Sequence, residues 1–480
     1  MNNALARAEH AVEALRAQRQ DDYYPRFHLA ALAGWINDPN GLIYINGVYH
    51  AFYQHHPYDE NWGPMHWAHA TSKDLVHWQH QPIALAPGDE YDKDGCFSGC
   101  AVNDNGVLTL IYTGHVWLGK AGDDDQVCEV QCLATSHDGV NFVKQGPVLT
   151  PPAGIQHFRD PKVWHEAGEW WMVLGAKENG LGQVRLYRSP DLRNWQFERV
   201  VAAANSLAQG YMWECPDMFP LGEQHILLFS PQGLAAQGYR NRNRFQSGYL
   251  LGSWRPEDDF AIAQPFCELD AGHDFYAPQT FTAADGRRML FAWMDMWESP
   301  MPSKAHGWAG ALTLPRELTL SAQGKVLMNP ARELTALRGE KQLFGATQCR
   351  NQRHLLGDNL QELTLTVDLA ASDAERYGIT IGQAARLYVD NQSHRLVLER
   401  FSPDPALCSY RSVPLPEGNV LTLHIFVDRS SLEVFANQGE ACLTSRIYPQ
   451  QGDSNVGLFA EAGCAQFGQI EAWTLNAICQ

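Results

Sequence analysis

The chain has 480 residues, enough for two or three domains and for a large apolar core that needs neither disulfides nor metals. Hydrophobic residues make up 45% and charged residues 19%, which excludes a disordered or fibrous chain. The formal net charge of −18 works against general binding to nucleic acid or to an anionic membrane, so neither is expected as a partner.

Residues 1–22 are expected to hold a short N-terminal helix. Ala4, Ala8, Ala11 and Leu15 recur at helical spacing, with Arg7, Glu9, Glu13 and Arg16 between them. This stretch lacks the apolar centre of a signal peptide, and no apolar run of about 20 residues follows. The 11 cysteines are scattered. Cys96/Cys100 and Cys128/Cys132 share a four-residue offset that raises the question of a metal, but the knuckle context of structural zinc is missing. The cysteines read as free thiols of a reducing compartment, and a cytoplasmic protein without metal or cofactor is expected.

From residue 23 to about 340, short apolar and aromatic runs alternate with Gly, Pro, Asn and Asp, the punctuation of an all-β region. A weak repeat runs through it: HATSKDLVHW at 69–78, LATSHDGVNF at 133–142 and LYRSPDLRNW at 186–195. Each ends a strand, then turns on Ser-x-Asp, with Ser72, Ser136 and Ser189 spaced by 64 and 53 residues. That period suits four-stranded propeller blades, about five of them over this length. Three similar turns in an ordinary sandwich are the alternative. Residues 341–357 read as a linker. From 358 to 480 the alternation becomes regular, as in Leu363, Leu365, Val367 and Leu369, which predicts a β-sandwich.

No GxxxxGK[ST], no GxGxxG after a strand and no GxSxG elbow occur, which argues against nucleotide binding and serine-hydrolase chemistry. His55, His56, His66 and His69 cluster without HExxH, and Asp123–Asp125 lack calcium-loop spacing. What stands out is a set of carboxylates beside prolines and aromatics. Asp38 lies in WINDPNG (35–41), Asp160 in HFRDPK (157–162) and Glu214 in WECPD (213–217). Proline fixes the local backbone and removes a donor, which aims a neighbouring side chain. Taken singly, an Asp-Pro step is usually a turn. Three in aromatic settings suit convergence on one site. Glycoside hydrolysis needs such a set: an acid for the leaving oxygen, a carboxylate to attack or to activate water, and negative charge near an oxocarbenium-like transition state. Trp35, Trp62, Trp297 and Trp308 are candidate sugar walls, with burial in the core as the alternative.

The segments WINDPNG, FYQHHP, WGPMHWAHATSKDLVHW, FSG, FRDPKV, WECPD and GWAG, together with VDRSSLEVFANQGEACLTSRIYP at 427–449, resemble glycoside hydrolase family 32, the invertases and related fructosidases. The resemblance runs from about residue 23 to the C-terminus. It implies a five-bladed β-propeller followed by a β-sandwich, and a retaining β-fructofuranosidase acting on sucrose or sucrose 6-phosphate. By motif position it implies Asp38 as nucleophile, Glu214 as general acid/base and Asp160 as transition-state stabiliser. Asn37, Gln54, Trp62, Phe97, Ser98 and Arg159 are the implied sugar contacts, and Trp35 and Trp297 join them as expected contacts on the aromatic-wall reading. Ile36 and Cys100 depart from the common pattern without touching the chemistry. Lys304 and Arg240–Arg244 are candidates, by composition alone, for a phosphate site. An inverting propeller glycosidase and a non-catalytic sugar-binding protein are the rival readings.

Overall fold

The computed structural model describes residues 3–478. It opens with one α-helix, Asn3–Arg16; residues 17–22 leave it as a turn and irregular chain, so the helix is shorter than the 1–22 expected. Ala8 and Val12 pack on Ile83, and the Glu9 carboxylate accepts the Ile83 N–H, which staples the helix to the edge of the first blade.

Residues 34–330 form five four-stranded antiparallel sheets arranged as propeller blades. The first contains strands Gly34–Ile45, Val48–His56, His66–Ser72 and Trp78–Leu85. The inner strands of blades 2 to 5 are Gly95–Asp104, Phe158–Glu166, Met212–Leu221 and Tyr276–Thr282. A two-residue strand, Trp308–Ala309, pairs in parallel with Gly34–Trp35 and closes the ring, since it ties chain from the last blade to the first.

The Ser-x-Asp repeat has a physical basis in blades 1, 2 and 3. Ser72, Ser136 and Ser189 each donate a hydroxyl hydrogen bond to Asp74, Asp138 and Asp191, at 3.1, 2.9 and 3.1 Å. Each Asp then accepts backbone N–H groups two and three residues on, such as Val140 and Asn141 at 2.9 and 2.8 Å. The turn is therefore self-contained, and it can recur wherever a third strand must bend into a fourth.

The segment 341–357, expected as a linker, is instead built into the sandwich. Strands Arg338–Phe344, Thr347–Arg350 and Arg353–Asp358 pair with residues 455–475. Its strand signal is hidden because RGEKQLF at 338–344 is a largely exposed edge strand whose charged side chains break the apolar alternation. Two antiparallel sheets, of eight and six strands, make up the sandwich. They enclose a core that includes Leu363, Leu365, Val367 and Leu398. The propeller and the sandwich also share apolar contacts: Phe426, Phe435 and Leu475 pack into the same cluster as Leu314 and Phe275.

Candidate active site

Every inner strand of the propeller carries a β-bulge at the same level. The strand pairing slips between Ile36 and Pro39, Phe97 and Gly99, Arg159 and Lys162, Glu214 and Asp217, and Tyr276 and Gln279. Four of the five slips contain a proline (Pro39, Pro161, Pro216, Pro278), a residue that has no N–H to lose from the ladder. Asp160, Cys215 and Ala277 take the left-handed conformation there, with φ of 65°, 49° and 51°. Bulges re-aim side chains. Five equivalent ones turn Asn37-Asp38, Phe97-Ser98, Arg159-Asp160, Glu214-Cys215 and Tyr276-Ala277 toward the propeller axis.

Asn37, Asp38, Phe97, Ser98, Arg159, Asp160 and Glu214 of these pairs meet in a cavity of about 540 Å³, lined also by Gln54, Trp62 and Trp297. Ser98 Oγ donates to Asp38 Oδ2 at 2.7 Å, and Asn37 Nδ2 donates to Asp38 Oδ1 at 3.0 Å. The Cys215 N–H donates to Asp160 Oδ2 at 2.9 Å. The Cys215 thiol lies 3.4 Å from Asp38 Oδ2 and 3.6 Å from Asp160 Oδ2, so it sits between the two carboxylates. Arg159 donates to Glu214 Oε1 from Nη2 at 2.8 Å and from Nε at 3.3 Å, and Tyr276 Oη donates to Glu214 Oε2 at 2.5 Å.

The electrostatics follow from burial and crowding. Loss of water raises the Asp38 carboxyl above its usual range; Ser98 opposes the rise and Glu214 adds to it. Asp160 is pushed well up by desolvation; Arg159 pulls it down, and Glu214 and Asp38 raise it again. Burial, with Asp160, Asp38 and Glu214 around it, lifts the Cys215 thiol far above its ordinary value, so it stays a neutral thiol. The whole arrangement is a group of like charges held together with one guanidinium, an environment that favours keeping a proton on the cluster.

Ties between blades hold the floor rigid. Asn40 Nδ2 donates to the Asp38 carbonyl, and Asn40 Oδ1 accepts the Gly99 N–H, both at 3.0 Å. Thr113 Oγ1 accepts the Asp160 N–H at 3.0 Å and donates to Gln131 at 2.7 Å. Lys162 pairs with Asp217 at 3.3 Å, and Asp217 accepts the Thr280 N–H at 2.8 Å. Gln54 hydrogen-bonds the Cys96 carbonyl at 3.0 Å from the side wall.

Several expected contacts lie elsewhere. Trp35 is buried behind the cavity wall, where its Nε1 holds Asn37 Oδ1 at 2.8 Å and its ring stacks on Trp297 at 5.9 Å. Trp308 is buried against Tyr24 and Arg446 and cannot face a ligand. Lys304 lies outside the cavity lining and donates to Asn61 Oδ1 at 3.0 Å, whereas Arg244 lines the cavity but is paired with Glu298 at 2.9 Å. His55 and His66 are buried and held neutral, with values of about 4 and 3, each bonded to a backbone carbonyl. Among the described residues no group of three His, Cys, Asp or Glu side chains is placed to hold a metal ion.

Three residues of the site lie outside the set that the motifs mark: His115 and Glu129 line the cavity, and Tyr276 is buried against Glu214. Tyr276 has a usable signal, since FYAP at 275–278 repeats the spacing of FRDP and WECP. His115 and Glu129 sit inside ordinary strand sequence and have none. His115 stacks on Phe97 at 4.1 Å and meets Trp117 edge-on at 4.4 Å.

Comparison with known proteins identifies the family. Residues 28–330 match the glycosyl hydrolases family 32 N-terminal domain, and residues 333–474 match the family 32 C-terminal domain. The chain belongs to glycosyl hydrolase family 32. Curated relatives match nearly its whole length. A sucrose-6-phosphate hydrolase from Escherichia coli is 58% identical, covering 98% of this chain and 99% of the relative. A raffinose invertase from Escherichia coli is 55% identical, covering 99% and 100%. Among solved structures, a Bombyx mori family 32 β-fructofuranosidase mutant in complex with sucrose superposes with a TM-score of 0.88 at 36% identity, covering 99% of both chains. Family 32 membership accords with the propeller-plus-sandwich architecture described above.

Proposed function

We propose that the protein is a retaining β-fructofuranosidase that hydrolyses sucrose, or its 6-phosphate, to fructose and glucose or glucose 6-phosphate. The observation that carries this reading is the meeting of Asp38, Asp160 and Glu214 at the floor of one cavity. Fructose sits deepest. Asp38 attacks the anomeric carbon of the fructosyl unit while Glu214 gives its proton to the glycosidic oxygen, and the bond to glucose breaks. Water then attacks the fructosyl–Asp38 ester. Glu214 takes the water proton, Asp38 leaves, and the two inversions add to retention.

Retention requires the two carboxyl groups to be only about 5–5.5 Å apart. The reading is supported by the nearness of the two groups: the Glu214 carboxylate acts directly on Asp38 and raises its carboxyl. Asp160 stays close to Arg159 (4.0 Å) and to Cys215, where it can bind fructose hydroxyls and face the positive transition state. Asn37, Gln54, Ser98 and Arg159 offer polar contacts, and Phe97, Trp62 and Trp297 offer apolar walls; Trp35 acts through Asn37 and Trp297. The ten cysteines among the described residues are all free thiols, which suits a reducing cytoplasm; Cys479 lies outside the described residues. No helix among the described residues is long and apolar enough to cross a membrane.

The experiment is glucose release from sucrose and from sucrose 6-phosphate in parallel, with the initial anomer of fructose read by NMR. Release of β-fructofuranose, abolished in Asp38→Asn, is the expected result. Undiminished turnover in Asp38→Asn removes the nucleophile assignment, and initial release of the α anomer replaces it with an inverting mechanism.

A further inference from the structure

Glu129 is a fourth carboxylate of the cavity, outside the three to which the proposed reaction assigns roles. It lies near the start of strand Val127–Ser136 in blade 2 and is 1% exposed. Its Oε2 accepts the Phe158 N–H at 2.8 Å and Arg159 Nη1 at 3.3 Å, and its Oε1 pairs with His115 Nδ1 at 3.2 Å. The Arg159 guanidinium is thus forked. Nη1 faces Glu129 and His157, while Nη2 and Nε face Glu214.

This fork addresses a difficulty in the proposed reaction. Glu214 has to carry a proton, give it up and take one back. A buried guanidinium with Glu214 as its only counter-ion would hold that carboxylate ionised, and would itself be left as an unpaired buried charge each time the proton returned. We infer that Glu129 is a positioning residue: the permanent counter-ion of Arg159, which holds the guanidinium in place and draws off part of its charge so that Glu214 can cycle its proton. Glu129 is suited to a fixed charge. Burial pushes its carboxyl up, but Arg159 and His115 outweigh that and hold it down at about 2. The charged and titratable groups facing it are Arg159, His115, His157 and, on its own strand, Cys128. Those facing Glu214 are Arg159, Asp38, Asp160, Cys215, Tyr211 and Tyr276. Asp38 and Asp160 are joined through the Cys215 thiol, whereas Glu129 is held by Phe158, Arg159 and His115, so its charge is the one the reaction leaves alone.

The inference rests on the fructosidase reading, and its test separates the two. The full pH–rate profile of kcat/KM on sucrose is measured for the wild-type chain, Glu129→Gln and Glu129→Asp. Glu129→Gln keeps the size and loses the charge. Arg159 then acts undivided on Glu214, which favours its ionised form, so the alkaline limb moves about one pH unit to lower pH with a loss of roughly 10²-fold. Glu129→Asp keeps the charge but withdraws the oxygens by one methylene, so the limb stays at its wild-type position and kcat falls about 10-fold. A role confined to holding Phe158 and His115 would lower stability or activity in Glu129→Gln without moving the limb, and that result overturns the inference. Equal shifts in both variants overturn it as well. Should Glu129→Gln not fold, Glu129→Asp decides alone: an unchanged kcat rejects the positioning role. A wild-type chain that cleaves no fructoside rejects the function itself, and the inference with it.

Discussion

Two buried charge clusters in this molecule use the same residue types to opposite ends. At the interface between propeller and sandwich, His28, Arg316 and Arg400 face Asp270, Asp274, Asp428 and Glu433. Arg316 donates to Asp270 at 2.9 Å and to Glu433 at 2.6 Å, with every side chain fully buried. His28 binds Asp428 at 2.8 Å and Glu433 at 2.7 Å, and Arg400 binds Asp274 at 2.7 Å. Cations and carboxylates nearly balance, and salt bridges there join segments more than 100 residues apart. At the cavity floor, one guanidinium, that of Arg159, is set among Asp38, Asp160, Glu214 and Glu129. The first cluster has its charges compensated and fixes how two domains dock. The second is short of positive charge, and burial and crowding push the Asp38 and Asp160 carboxyls above their usual range, a setting that suits proton exchange. Compensation separates structural charge from chemical charge here, since burial is common to both.

That contrast can be broken from either side. Asp38→Asn should leave the fold intact and lower kcat/KM on sucrose by about 10⁴-fold or more, roughly 5 kcal/mol of barrier, as read by single-turnover glucose release. Near-normal turnover would move the nucleophile elsewhere. Arg316→Met should do the reverse. With Asp270 left buried without a counter-ion and Glu433 left with His28 alone, about 3–5 kcal/mol of stability is lost in chemical unfolding, while residual folded protein keeps its KM. An unchanged unfolding midpoint would mean that the interface network is not structural.

The pH dependence of stability sharpens the point. Burial lowers the pKa of His28, but its hydrogen bonds to Asp428 and Glu433 prevail and raise it to about 9. A value raised in the folded state gives stability that is fully present below the unfolded pKa of about 6.5 and lost as pH climbs through about 9, roughly 3 kcal/mol in all. Thermal unfolding scans from pH 6 to 10 should show this decline, and His28→Gln should flatten it. The smallest effect falls at the site. Ser98→Ala removes one 2.7 Å hydrogen bond to Asp38 and should lower kcat by about 10- to 100-fold, with KM little changed. A pure KM effect would instead mean that Ser98 acts on the sugar alone and not through Asp38.

Much of the fold and of the site is legible in local sequence. The Ser-x-Asp turns announce three of five blades because their hydrogen bonds lie within a few residues of each other. The X-Pro steps mark the neighbourhood of Asp38, Asp160 and Glu214 because a bulge tolerates a residue that has no N–H to give the ladder, and that preference is written locally. The edge strand Arg338–Phe344 is not legible, because its exposed charges carry no alternation. Trp35 and Trp308 depart from the expected role of cavity walls because burial of an aromatic depends on what packs over it, which no local pattern records.

By itself, the amino-acid sequence determined the all-β architecture, the place where three of the blades turn and which three carboxylates to look for in one cavity. All of these rest on interactions between residues close in the chain, or on motif spacing that the family shares. Only the tertiary structure decided that five bulges point their pairs at one axis, that Arg159 is divided between Glu214 and Glu129, and that Tyr276 donates to Glu214. Those relations join residues 30 to more than 60 positions apart. They exist because closing the propeller brings the inner strands together, and strand closure is a property of the whole chain.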